Sequence, residues 1–152
     1  MINPACLSCA VVTGQADTPG GAILETKHFH AHQDVAYPVQ GQIIVAARRH
    51  FRLLVEMNEP ETEELLPLLQ KLRAAQAQVL GVDHVYYFYN EDTAHHFHVW
   101  MVPRHPWMAA FGRSIEAVRP ALLHAQNEMS SPKELEAVHQ AVAELRLALD
   151  PA

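Results

Sequence analysis

Apolar and polar positions recur along this chain with two different spacings, and the change of spacing divides it into elements. Ala22 to Glu25 and His28 to Tyr37 predict two strands joined by a short turn. Gln42-Ile43-Ile44-Val45-Ala46-Ala47, entered through Gly41, predicts a buried central strand. The aromatic run Tyr86 to Tyr89 suits another strand. His96 to Val102 follows as a strand stopped by Pro103. A two-residue period puts His96, His98 and Trp100 on one face and Phe97, Val99 and Met101 on the other.

The longer spacing marks helices. Over Glu59 to Leu80, Asn58 suits the N-cap and Pro60 the first turn, while Glu61, Glu63 and Glu64 complement the positive end of the dipole. Leu65, Leu68, Leu69, Leu72 and Val79 form the apolar stripe and Gly81 closes the helix. This helix is expected to lie across the sheet and pack on Phe97, Val99 and Met101. A loop should run from Arg104 to about Gly112. Ser114 to Met129 is helical in composition, with Pro120 predicting a kink or two short helices. Ser131-Pro132-Lys133-Glu134 is a capping box ahead of a last helix striped by Leu135, Val138, Val142, Leu145 and Leu149. These C-terminal helices are expected to pack on the domain or to take part in a dimer interface. The predicted class is α+β, with residues 1–112 as the main unit and 113–152 as a helical extension of the same domain.

Composition narrows the function. A chain of 152 residues, 49% hydrophobic and 18% charged, suits one globular domain. Its net charge of −6 argues against long nucleic acids, whose backbones demand clustered Lys and Arg. A small nucleotide held by a few local donors is compatible with it. No apolar run approaches the roughly twenty residues that span a bilayer. Met1-Ile2-Asn3-Pro4 lacks the basic start and apolar stretch of a secretory leader, so the cytoplasm is the expected compartment.

In that reducing setting, Cys6-Leu7-Ser8-Cys9 reads as a metal clip or a redox pair rather than a disulfide. A redox pair expects a preceding strand and a following helix, whereas Ala10-Val11-Val12 and a Gly20-Gly21 turn follow here. Zinc is the favoured reading, with two further ligands to come from elsewhere. His28-Phe29-His30-Ala31-His32 is a literal His-x-His-x-His, read as decoration of an exposed strand face, with a metal site on those three as the alternative. His96 and His98, side by side above an apolar back face, suit metal binding or phosphoryl chemistry.

The stretch His96-Phe97-His98-Val99-Trp100-Met101-Val102-Pro103-Arg104 resembles the motif of the histidine triad (HIT) family of nucleotide hydrolases and transferases, His-φ-His-φ-His-φ-φ continued by Pro-Arg. Trp100 stands where the third His belongs. The resemblance covers roughly residues 6 to 104. It implies a largely antiparallel sheet of about five strands with one long helix across it, and a homodimer. It also implies a structural zinc ion held by Cys6, Cys9, His50 and His96, His50 being the residue that ends the central strand after Arg48-Arg49.

Within that resemblance His98 is the nucleophile, attacking the α-phosphorus of a nucleotide to give a nucleotidyl-histidine that water resolves. Dinucleoside polyphosphates and nucleoside phosphoramidates are the implied substrates. Asn90 and Thr93 are candidate phosphate donors, Arg104 a charge partner, and Trp100 an N–H donor that cannot shuttle a proton. Asp34 would accept from a ribose, or would simply end a strand and start a turn. Some relatives, such as the galactose-phosphate uridylyltransferase branch, carry Gln at the third position and stay active. The competing reading is a non-catalytic, zinc-stabilised nucleotide-binding protein. His95 is left without a role.

Overall fold

A computed structural model describes residues 5–150; the Met1–Pro4 segment discussed above lies outside them. The elements run α1 (Leu7–Val12), β1 (Ala22–Glu25), β2 (Phe29–Gln33), β3 (Ile43–Ala47), α2 (Glu59–Leu80), β4 (Val85–Phe88), β5 (His98–Pro103), α3 (Ile115–Glu128) and α4 (Pro132–Leu149). Short 3-10 turns occupy Leu54–Glu56 and Pro106–Phe111. The strands form one five-stranded antiparallel sheet in the order β1-β2-β3-β5-β4. This is the α+β architecture expected.

One face of the sheet carries the main core. Phe29, Ala31, Ile43, Val45, Ala47, Phe97, Val99 and Met101 meet Leu68, Leu72 and Ala75 of α2, together with Val142, Leu145 and Leu149 of α4. Each buried Leu or Val there contributes about 1.5–3 kcal/mol of transfer free energy. The long helix begins as its sequence demands. Asn58 accepts from the Glu61 amide while the Glu61 carboxylate accepts from the Asn58 amide, and Gly81 ends the helix in the left-handed conformation. Its fully buried Gln76 donates to the carbonyls of Gly41 and Met101, which ties α2 to the sheet. Gly41 sits at φ 74° hard against Leu80, so a side chain there would meet both strain and a clash.

The opposite face is divided. Under α3 and the Pro106–Phe111 turn lies a second apolar cluster of Val39, Val102, Met108, Val118, Ala121, Leu122 and Ala125, flanked by Trp100, Tyr86 and Phe88. Over the rest of that face lie α1, His95 and the turn at 34–37, and there the candidate site gathers.

Four local expectations are corrected. The strand predicted to run to Tyr37 stops at Gln33, because Asp34 Oδ1 accepts from the amides of Ala36 and Tyr37 and turns the chain. Ala10-Val11-Val12, read as following the cysteines without a helix, lie in α1, which begins at Leu7. Pro120 neither ends nor divides α3, which runs unbroken from Ile115 to Glu128; at its sixth residue a proline removes only one intrahelical bond. The last strand begins at His98, not His96.

Candidate functional site

His96 lies just before β5, and its ring turns away from His98. Its Nε2–H donates to the Ala47 carbonyl at 2.5 Å, which leaves the Nδ1 lone pair facing Cys6 Sγ at 3.5 Å and Cys9 Sγ at 3.3 Å. His50, three residues beyond the end of β3, brings its own Nδ1 to 3.2 Å from Cys9 Sγ. Cys6 is the N-cap of α1 and Cys9 lies within it, so one short helix delivers both sulfurs to the same side. The four donor atoms lie within 4.8 Å of one another.

Around a tetrahedral ion with Zn–S near 2.3 Å and Zn–N near 2.0 Å, neighbouring donors are roughly 3.5 Å apart, so the set fits such an ion. The bond from His96 to a backbone carbonyl also fixes the tautomer that a metal requires. Among the described residues no other group of three or more metal-capable side chains converges. His28 is not part of one, since its Nδ1 pairs with Glu64 of α2, on the core side of the sheet.

His98, the first residue of β5, projects from the divided face. Its Nδ1–H donates to the His96 carbonyl at 2.9 Å, so Nε2 carries the lone pair. Burial lowers the His98 pKa, a drop reinforced by His95 and opposed by the His96 carbonyl and the Asp34 carboxylate. The ring is therefore neutral near pH 7.

A cleft of about 240 Å³ opens beside it. It is lined by His32, Ile44, His98 and Trp100 of the sheet, by Leu7, Ser8 and Val11 of α1 with His95, and by a wall of Asp34, Val35, Ala36 and Tyr37 that continues from β2. Asp34 is buried in this wall; desolvation raises its pKa, opposed by the amides of Tyr37 and Ala36, among others. Trp100 stacks beside His98 with ring centroids 6.2 Å apart, and its indole N–H is buried without a hydrogen-bond partner.

The other expected contacts lie elsewhere. Asn90 is exposed and lines a separate surface cleft with Phe88, Trp100 and Arg119. Thr93 is exposed in the turn ahead of His95. Arg104 follows the far end of β5, about 20 Å along the strand from His98, and donates to the Tyr86 hydroxyl.

Three residues gain a place that the chain alone did not suggest. His95 Nδ1 accepts from the Leu7 amide at 3.1 Å, satisfying an otherwise open donor at the start of α1, and its ring lines the cleft. His30 and His32, expected on an exposed face, are only 6% and 4% exposed, because β2 is an inner strand whose polar-looking face is the roofed one. Alternation cannot say which face of a strand is covered.

No family model matches the chain and no curated protein sequence matches it. Solved structures do. A HIT-like protein involved in cell-cycle regulation from Bartonella henselae superposes with a TM-score of 0.67 at 12% identity, covering 97% of this chain and 99% of that one. A zinc-bound histidine triad family protein from Mycobacterium smegmatis gives 0.64 at 20% identity over 93% and 95% of the two chains. A hypothetical histidine triad nucleotide-binding protein from Sulfolobus tokodaii gives 0.65 at 18% identity over 93% and 91%. The chain has the histidine triad fold across nearly its whole length.

Proposed function

We propose that this protein is a nucleotide hydrolase or nucleotidyl transferase that works through a covalent intermediate on His98. The observation that carries the reading is the bond from His98 Nδ1 to the His96 carbonyl. It leaves a neutral Nε2 lone pair beside a cleft large enough for part of a nucleotide. In the first step Nε2 bonds to the α-phosphorus of a dinucleoside polyphosphate or nucleoside phosphoramidate while the bond from phosphorus to the leaving group breaks. In the second, water attacks phosphorus, the P–N bond breaks and the imidazole is restored. Asp34 and Trp100 are the expected contacts to the rest of the substrate.

Cys6, Cys9, His50 and His96 would hold zinc, which closes all four coordination positions and supplies structure rather than an activated water. Through His96 that anchor sets the carbonyl on which His98 is oriented. Thiolate ligands imply a reducing compartment, consistent with the cytoplasm. A homodimer belongs to the same reading, supported by an apolar groove at the open β4 edge where Leu66 is 68% and Tyr87 49% exposed.

One observation favours the rival, a non-catalytic zinc-stabilised nucleotide-binding protein. Asn90, Thr93 and Arg104 do not line the cleft beside His98, and Trp100 offers no proton to a leaving group. Incubation with a labelled adenylyl donor separates the two. The catalytic reading expects a covalent adduct that His98→Ala abolishes; nucleotide binding with neither adduct nor turnover establishes the rival.

A further inference from the structure

The histidine pair on β2 is not accounted for by nucleophile or metal. His30 and His32 face each other with Nδ1 atoms 3.1 Å apart, so one ring donates to the other. The Nε2 of His30 lies 3.8 Å from the Glu25 carboxylate, a position that favours a proton on that nitrogen. The Nδ1 of His30 is then the acceptor and that of His32 the donor. What remains is the Nε2 of His32, which has no hydrogen-bond partner among the described residues, while His32 lines the cleft.

A buried pair serving only as filler would be better replaced by two apolar residues, since unmatched polar groups cost stability. A metal clip is excluded among the described residues, because no third ligand joins the pair.

From this geometry we infer that His32 is a specificity-determining hydrogen-bond acceptor for the substrate, positioned by the Glu25–His30 pair behind it. The inference rests on the nucleotide reading above. Register sets which part of the substrate it meets. His32 pairs with Ile44 and Ile44 with Trp100, so β2 and β5 are two strand spacings apart, about 10 Å. With the two strands that far apart, His32 is assigned the part of the substrate that extends across the cleft from the reacting phosphorus. Burial holds its pKa near 3, so it is a neutral acceptor rather than a cation for phosphate. Asp34, two residues along the same face, is a second acceptor. This wall consequently selects a moiety rich in donors, such as sugar hydroxyls or an exocyclic amine.

The test is calorimetry with adenosine 5′-monophosphate, its 2′,3′-dideoxy analogue and purine riboside 5′-monophosphate, which lacks the amino group. His32→Phe is expected to weaken the parent nucleotide about 10-fold, yet to leave unchanged the one analogue missing the donor that His32 accepts. Glu25→Gln, at a side chain 55% exposed and so tolerant of change, is expected to produce the same pattern at about 2–3-fold. Nitrogen-15 NMR of the unliganded protein should find His32 protonated at Nδ1 and bare at Nε2. A proton on Nε2, or an equal loss for all three ligands, overturns the inference while sparing the nucleotide reading. If the unaltered protein binds none of the three, both fall together.

Discussion

His96 and His98 are two residues apart and joined by a hydrogen bond, yet their rings serve opposite sides of the chain. The carbonyl of His96 holds the Nδ1 of His98, while the ring of His96 turns to two cysteines and the Ala47 carbonyl. The Cys6-Cys9-His50-His96 cluster and the proposed nucleophile are thereby coupled through one peptide unit.

The proposed role of His98 as nucleophile carries the first prediction, that the side chain is needed for turnover and not for folding. His98→Ala should keep the circular dichroism spectrum and the metal content, while turnover of a dinucleoside polyphosphate falls by about 10³-fold or more. A loss of less than tenfold in steady-state kinetics would remove His98 from the role of nucleophile.

Metal content provides the second prediction. One zinc per chain is expected by atomic emission, and Cys9→Ser should abolish it, since Cys9 Sγ touches both His50 and His96. Losing about 3 kcal/mol would lower Tm by roughly 10 °C in a domain of this size. His30→Ala should leave metal content unchanged.

Acid should destabilise the protein through His32. Its folded pKa, near 3, lies below the unfolded value of about 6.5, so the unfolded chain binds the proton first. Stability from this group is complete above pH 6.5 and is lost as pH falls below it, by about 2 kcal/mol at pH 5. Urea titrations across pH 5 to 7 should show this slope, and His32→Phe should flatten it.

Beneath the α2 N-terminus, Glu61 is 1% exposed and is held by Arg49 through Nη2 at 2.7 Å and Nε at 3.3 Å. Burial alone would raise its pKa, but Arg49 and the Asn58 amide outweigh that and lower it. Arg49→Ala leaves a buried carboxylate without its partner and should cost about 3 kcal/mol, read as a lower urea midpoint. Arg49→Lys should recover only part of this, because an ammonium cannot bridge both carboxylate oxygens.

Much of the scaffold was legible in the chain because its signals are local. Asn58, Glu61 and Gly81 bound α2 through backbone hydrogen bonds that involve near neighbours, and the alternation in His98 to Val102 reports a strand wherever it ends up. The grouping of Cys6, Cys9, His50 and His96 was reached through a family resemblance, since nothing in their spacing requires it. Pro120 misled because a proline's effect depends on its position in the helix, which composition does not give.

What the sequence determined by itself is the set of elements and the kinds of side chain each one carries. Tertiary structure alone decided which face of β2 is roofed, so that His30 and His32 are buried rather than on a surface, and His32 lines the cleft. It also decided that Asn90, Thr93 and Arg104 do not line the cleft beside His98. The physical reason is that strand periodicity specifies two faces without labelling them. Only the packing of α1, α3 and the 34–37 turn over one side assigns burial, neighbours and protonation to the residues found there.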